Sequence, residues 1–176
     1  MGCKILIGTQ YVVMLAGYNK WQNESIYAAA NKLDDAERRI DKGAFFGSIH
    51  STLSHLIWGD RIWMSRFSGS KKPIQPSIAK SVEEVGDWLE LVEQRAEMDQ
   101  NILTWSKALS EADLKSNLTW FSGAIQAEVS KPLWILVAHF FNHQTHHRGQ
   151  VHSMLTSAGV QPEDTDLFML PERYLS

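Results

Sequence analysis

The sequence has little of several features that would point to particular classes of protein. Its only cysteine, Cys3, cannot form a disulfide within the chain, so nothing calls for an oxidising compartment. We expect Cys3 to be an exposed thiol rather than a catalytic nucleophile. No run of lysine or arginine is long enough to hold a phosphate backbone, and the net charge is only -3, which argues against nucleic-acid binding.

Long apolar runs are also missing, which argues against a membrane-spanning segment. The first fifteen residues contain apolar stretches, but Thr9, Gln10 and Tyr11 interrupt them and no small-residue cleavage site follows. We therefore expect this region to begin a helix of a cytoplasmic protein rather than to act as a signal peptide.

The composition is that of a folded globular protein. Hydrophobic residues make up 44% of the 176 positions and charged residues 21%, which favours a chain that buries one substantial core. Neither an internal repeat nor a linker divides the chain, so the sequence predicts a single domain over residues 1–176.

Four stretches have the length and the apolar spacing of helices, at about residues 10–33, 45–67, 81–109 and 132–158. We place the start of the third at Ser81, because Glu84 follows at the spacing of a capping box. Residues 118–129 contain alternating apolar and polar side chains, which predicts a short hairpin or extended loop between helices three and four. Helices with one apolar face bury it best against each other, so we predict an all-α fold, a four-helix bundle.

Histidine is unevenly distributed, with five of the seven lying between residues 139 and 152. His139, His143 and His147 follow at intervals of four, so they share one face of the fourth predicted helix. Buried imidazoles need polar partners, and a metal ion bound by two histidines four residues apart would supply one. A site in a bundle also needs a ligand from a second helix, for which the sequence offers His55 or His50, two residues that cannot share a face.

Three segments resemble the signature motifs of the DinB/YfiT-like family. They are residues 48–63 (SIHSTLSHLIWGDRIW), residues 139–150 (HFFNHQTHHRGQ) and residues 18–21 (YNKW), and they agree in order and spacing across nearly the whole chain. The resemblance implies a four-helix bundle, commonly a homodimer, with a three-histidine site for zinc, nickel or a similar ion. Carried over residue by residue, it implies the metal ligands His55, His143 and His147.

The resemblance leaves the activity open, because the family is functionally mixed. Some relatives resemble S-transferases or isomerases that depend on a low-molecular-weight thiol, some are described as metal-dependent hydrolases, and others are known as products of DNA damage. Three imidazoles leave a metal with open positions for water or a substrate atom. We therefore expect a metalloenzyme acting on a small molecule, with a non-catalytic stress-response protein stabilised by its metal as the alternative. A dimerisation scaffold whose histidines bind nothing is a third hypothesis.

Several residues beside the predicted ligands receive supporting roles. We expect Asn142 and Gln150 to orient the imidazoles, and His139 to lie in a pocket wall. Arg148 is predicted to bind an anion or a carboxylate of a neighbouring helix. His146 and His152 are expected at the surface or at an interface. The ligand set suits zinc and nickel, with iron or copper also compatible.

Overall fold

The computed structural model describes residues 7–123 and 125–175, so the predicted thiol Cys3 lies outside the described residues. Four long helices dominate this part of the chain: α1 (Thr9–Ala30), α3 (Ile49–Ser68), α4 (Trp88–Ala108) and α6 (Leu133–Ser157). Two short helices lie between them, α2 (Asp35–Arg39) and α5 (Glu111–Lys115). Short stretches of 3₁₀-helix occupy Ile78–Glu83, Leu167–Met169 and Glu172–Tyr174. The described chain is mostly helical, as predicted.

A small antiparallel sheet separates α5 from α6. Its strands are β1 (Asn117–Ser122) and β2 (Ala127–Pro132), and they pair in a register that places Asn117 opposite Pro132. This hairpin lies where the alternating pattern predicted one. α6 follows directly from β2, because Pro132 supplies the residue before its first turn without needing a backbone N–H there.

The long helices bury their apolar faces against one another. α1 packs against α4 and α6, and α3 packs against the same two helices. Fully buried side chains from these helices, among them Val12, Leu53, Leu91, Ile102 and Phe140, belong to one hydrophobic cluster. Among the described helices, none combines the length and apolar character that a membrane-spanning segment needs.

The predicted start of the third long helix at Ser81 is wrong. Residues 78–83 form a 3₁₀-helix, and α4 begins seven positions later, at Trp88, where the side chain of Asp87 accepts the backbone N–H of Glu90. Ser81 and Glu84 are both buried, and their side chains bind partners in α3 instead of capping a helix.

A network of buried charged and amide groups lies between the four long helices. Arg95 of α4 donates to Asp60 of α3 over 2.7 Å and lies 2.8 Å from Asp99 of its own helix. On α6, Gln144 donates to the same Asp60. The network therefore ties α3, α4 and α6 together through groups that have lost their water.

Arg148 extends this network to α1, where it donates to the side-chain oxygen of Asn19. It also lies 3.3 Å from the amide oxygen of Gln144, one turn earlier on α6. The predicted carboxylate partner of Arg148 is thus wrong, because an amide oxygen takes that place, and the buried guanidinium does not face an open anion site.

The C-terminal segment, residues 159–175, lies across α1. Tyr18 donates its hydroxyl to the carbonyl of Thr165 over 2.6 Å, and the backbone N–H of Glu163 donates to Ser25 over 2.8 Å. Gly17 leaves room for this crossing, since a Cβ there would lie 1.9 Å from the carbonyl oxygen of Tyr174. The segment thereby covers the outer side of the helix that carries Asn19.

Candidate metal centre

Three histidines converge between α3 and α6. Each of His55, His143 and His147 offers one ring nitrogen, and these nitrogens lie within 4.8 Å of one another. Nε2 of His55 is 3.3 Å from Nε2 of His143. His55 and His147 are buried, whereas His143 is partly exposed. The structure therefore brings together the three residues that the sequence singled out.

His50, the alternative on the same helix, faces elsewhere. Its Nε2 lies 2.9 Å from the carbonyl oxygen of Val85, and its ring lies near Trp88 with centroids 6.2 Å apart. The five-residue separation from His55 turns it to another side of α3, as the helical geometry predicted.

The donor set fits a divalent metal ion in both chemistry and spacing. With metal–nitrogen bonds of about 2.0–2.1 Å, a tetrahedral ion holds neighbouring nitrogens about 3.3–3.4 Å apart. The 3.3 Å between His55 and His143 matches that edge. Within the part of the chain that the structure describes, no carboxylate or thiol joins the three imidazoles. The cluster could therefore hold one ion with three neutral ligands.

Ser81 fixes the protonation pattern of His55. The Ser81 hydroxyl donates its single proton to the carbonyl of Ile78 over 2.6 Å, so it can only accept from Nδ1 of His55, 2.7 Å away. His55 consequently carries its proton on Nδ1. Its Nε2 is left with a free lone pair that points toward His143.

Gln150 likewise places the proton of His147 on Nδ1. Its side-chain oxygen lies 2.8 Å from Nδ1 of His147, while its amide nitrogen faces Nε2 of His146 at 3.4 Å. Nδ1 of His147 is therefore the donor, and Nε2 is the ligand atom. The predicted role of Gln150 is supported by this contact. The predicted role of Asn142 is wrong, because its amide donates to the carbonyl of Ala138.

Gly59 makes room for the His143 ring. It lies one turn after His55 on α3, and a Cβ at this position would be 3.0 Å from Cε1 of His143. Any side chain here would therefore press on a predicted ligand. The imidazole rests directly on the backbone of α3, which brings its nitrogen close to that of His55.

The surroundings of the three imidazoles lower their pKa values and so favour the neutral form. Burial, together with the smaller effects of the neighbouring His143 and His147, lowers the pKa of His55 to about 3. Burial likewise lowers the pKa of His143 to about 3, with His147 as the next cause. The pKa of His147 is lowered by burial too. At neutral pH all three rings keep the lone pairs that a metal requires.

Aromatic rings surround the cluster. Phe46, in the loop before α3, stacks on His55 with centroids 3.8 Å apart and lies 5.3 Å from the ring of His147. Trp58 stacks on His55 at 5.8 Å. These rings limit access of water to the nitrogens, and the spacing of the aromatic residues alone did not reveal that they would lie there.

The remaining histidines of α6 lie outside the cluster. His139 is 6.0 Å from His143 between ring centroids and packs edge-on against Trp63 at 5.2 Å, which agrees with its predicted place in a wall. His146 is exposed and His152 partly so, as expected for surface residues.

Three residues that matter to the cluster were missed by sequence reasoning: Ser81, Gly59 and Phe46. Ser81 was interpreted as the start of a helix, and Phe46 lies nine residues from His55 on a loop. Gly59 carried a signal, because glycine inside a helix costs about 1 kcal/mol relative to alanine and usually has a packing reason. Its spacing of four from His55 could have identified it.

The chain is similar to known proteins over most of its length. The model of the family described as "DinB family" matches residues 8–173. "Protein DinB" of Bacillus subtilis (strain 168) is 28% identical over 168 residues, which cover 90% of this chain and 92% of that protein. The search of solved structures gave no significant match.

Proposed function

Because the chain belongs to the DinB family, and because three imidazole nitrogens converge within it, we propose that it binds one divalent metal ion through His55, His143 and His147. The observation that carries the proposal is the orientation of the rings. Nδ1 of His55 and of His147 is occupied by a protein acceptor, so both Nε2 atoms are free to bind a cation. The same proposal treats the four long helices as the bundle that holds the ion.

Zinc or nickel is the proposed ion, with iron as a further candidate. Imidazole ligands suit all of these ions, while a cluster without carboxylate oxygens from the described residues disfavours manganese, magnesium and calcium. Because the three ligands are neutral, the ion keeps its full double charge and is a stronger electrophile than one bound by anionic ligands.

We propose further that the protein is a metalloenzyme acting on a small molecule, with a low-molecular-weight thiol as co-substrate. When bound, the ion would supply Lewis-acid chemistry that lowers the pKa of a thiol or of water. The chain's own residues supply the positioning. Ser81 and Gln150 hold two rings in one orientation, and Phe46 and Trp58 keep water away from them.

The alternative function is that of a non-catalytic metal-binding protein. One observation favours it: the ligands come from two different helices, so an ion would crosslink α3 to α6. Metal binding would then mainly stabilise the folded chain, because the unfolded chain does not gather the three rings.

Metal analysis of the purified protein tests the site itself. We expect one ion per chain, and replacement of His55, His143 or His147 by alanine should abolish stoichiometric binding. His152→Ala is the matched control, since it removes a histidine of α6 outside the cluster. Full metal content in all three alanine variants would refute the site.

Turnover separates the enzyme from its alternative. Bacillithiol, mycothiol and glutathione are each tested as the thiol substrate together with a chloro-dinitrobenzene. In this reaction, the thiol sulfur displaces chloride at the ring carbon. Catalysis that requires both the ion and a thiol supports the enzyme. A metal-loaded protein that gains thermal stability but turns over none of the three thiols supports the structural role.

The homodimer implied by the family remains a prediction. Light scattering on the eluting protein measures the mass directly, and a value near that of one 20.0 kDa chain would contradict it.

A further inference from the structure

Arg66 occupies an unusual position near the end of α3. Its guanidinium lies over the ring of Trp63 at 4.8 Å and over that of Trp120 at 5.3 Å. Two tryptophans from different elements, α3 and β1, thus hold this partly buried side chain in place. Stacking on aromatic faces leaves the N–H groups at the guanidinium edge free to point outward.

The guanidinium has no anionic partner in the described parts of the chain. The fully buried arginines there, which are Arg38, Arg95 and Arg148, each contact a carboxylate or an amide or carbonyl oxygen. Arg66 makes neither an ion pair nor a hydrogen bond with residues 7–123 or 125–175. Burial lowers the pKa of Arg66, and no neighbouring charge contributes to that shift. The positive charge is therefore partly desolvated and uncompensated.

A cavity of about 320 Å³ opens beside Arg66. Its walls are mixed, with the apolar side chains of Ala108, Leu109 and Leu118 beside several polar residues. Phe67 and Trp105 also line it, but they stack on each other with centroids 5.1 Å apart, so their facing ring surfaces are already covered. This volume is at the lower end of the range of small-molecule sites, about 300–1,000 Å³.

Four polar or charged residues line the cavity: Arg66, Asp113, Ser116 and Asn117. Asn117 lines it with a side chain that makes no hydrogen bond to the described residues. Asp113 also lines it, but Oδ2 of this carboxylate accepts the backbone N–H and the hydroxyl of Ser110 at the start of α5. Arg66 is thus the one cation among the lining residues that the structure describes, beside the apolar side chains of Ala108, Leu109 and Leu118.

We propose that this cavity binds a small organic carboxylate with an aromatic or aliphatic body. The carboxylate lies against the edge of the Arg66 guanidinium, where the planar fork can donate two N–H bonds. The body of the ligand covers Ala108, Leu109 and Leu118, which are exposed or half-buried in the free protein. The amide of Asn117 is placed to add a further polar contact.

This site is separate from the histidine cluster. Arg66 lies seven residues after Gly59 on α3, which is about 10 Å along the helix, and Gly59 is the residue that contacts His143. The two sites share neither a lining residue nor a charge. The inference therefore does not depend on the proposed metal.

Isothermal titration with 2-naphthoate and its neutral analogue 2-naphthamide tests the proposal. We expect the wild-type protein to bind the carboxylate at least about tenfold more tightly than the amide, because only the carboxylate forms a charge-assisted pair. Arg66→Met keeps an unbranched side chain over the tryptophans but removes the charge. It should lose that preference of about tenfold while binding the amide as before.

Two further variants localise the binding. Ala108 lies exposed at the rim of the cavity, so Ala108→Phe should weaken both compounds by filling the apolar space. Lys32→Met makes the same change of charge just after α1, at the end of the fold far from Arg66, and should leave both affinities unchanged. Equal affinity of wild type and Arg66→Met for naphthoate would overturn the proposal, as would no binding to the wild type at millimolar ligand. Retention of the metal in Arg66→Met shows that the two sites are tested independently.

Discussion

The hydroxyl of Ser81 lies 2.7 Å from Nδ1 of His55 while it donates its own proton to the carbonyl of Ile78. This arrangement leaves one tautomer of His55, with the lone pair of Nε2 directed at the centre of the cluster. A residue outside α3 and α6 thus decides which nitrogen a metal would meet.

Ser81→Ala is expected to weaken metal binding by about 10- to 100-fold, the usual effect of removing a hydrogen bond that orients a ligand histidine. Competition with a chromophoric chelator measures the affinity. Ser106→Ala is the matched control, because Ser106 is equally buried and bonds only to the carbonyl of Leu103 in its own helix. An unchanged affinity in Ser81→Ala would show that the tautomer is set in another way.

Gln150→Glu should strengthen metal binding, whereas Gln150→Met should weaken it. A carboxylate accepts the Nδ1–H of His147 more strongly than an amide does and makes the ring a more basic ligand. The absorption spectrum of the cobalt-substituted protein reports the change at the ligands directly. Equal affinities for the two variants would contradict the assigned contact.

Gly59→Ala separates the stability of the chain from the affinity of the site. Alanine favours the helix by about 1 kcal/mol over glycine, so the metal-free protein should be no less stable to urea. The new methyl group would lie 3.0 Å from Cε1 of His143 and push the ring aside, which should lower metal affinity. A loss of stability without loss of affinity would be the opposite of this expectation.

Acid should destabilise the metal-free protein through His55 and His143. Burial lowers the pKa of each from the ordinary 6.5 to about 3. As the pH falls below 6.5, the unfolded chain therefore takes up protons that the folded chain refuses, and the free energy of unfolding falls until about pH 3. Asp99 acts in the opposite direction, because burial raises its pKa to about 6.

A comparison of variants isolates the histidine contribution. In urea titrations of the metal-free protein from pH 7 to pH 4, His143→Gln should reduce the pH slope of stability by up to about one proton. His152→Gln leaves the cluster intact and should reproduce the wild-type slope. If His143→Gln has the same slope as the wild type, the ring of His143 is not held neutral by the fold.

Asp60→Ala should cost about 3–5 kcal/mol of stability, because it removes one of the two carboxylates that pair with the buried guanidinium of Arg95 and also the acceptor of Gln144. Asp35→Ala removes an exposed carboxylate that pairs with Arg39, and it should cost less than about 1 kcal/mol. The midpoint of urea unfolding measures both. Similar losses in the two variants would mean that the buried pair contributes no more than a surface pair.

The sequence predicted the parts of this molecule that follow from periodicity. The four long helices lie where the sequence placed them, except that α3 begins four residues later than predicted and α4 seven, and the alternating residues before Pro132 do form a hairpin. The convergence of His143 and His147 follows from their spacing on one helix. The choice of His55 rested on the family motif, because the helical pattern alone left His50 open.

The periodicity of the sequence could not predict which side chains contact each other in the folded chain. Ser81 and Glu84 have the spacing of a capping box, yet their side chains bind His55 and Arg61 on α3. Local propensity is a weak preference that such buried contacts override. The pairing of Asp60 with Arg95 joins residues 35 positions apart and leaves no local signal.

The role of Asn142 on α6 was predicted incorrectly for a similar reason, because the sequence does not show which way a side chain points in the folded protein. Asn142 is exposed and satisfies its amide within the helix, whereas Gln150 reaches His147 three residues earlier. In the sequence, Asn142 and Gln150 each lie within three residues of a predicted ligand histidine. Only the direction of each side chain, set by packing, distinguishes them.

Consecutive positions on α6 serve two different neighbours, since His143 and His147 face the cluster while Gln144 and Arg148 enter the buried network. The helix cannot rotate its imidazoles away without pulling Gln144 and Arg148 from their partners on α3 and α1. The ligands of α6 are therefore preorganised by folding, and an incoming ion need not bear the entropic cost of collecting them. At the proposed site, one ion could then replace another in the intact protein, and the metals available in its surroundings would decide which one it carries.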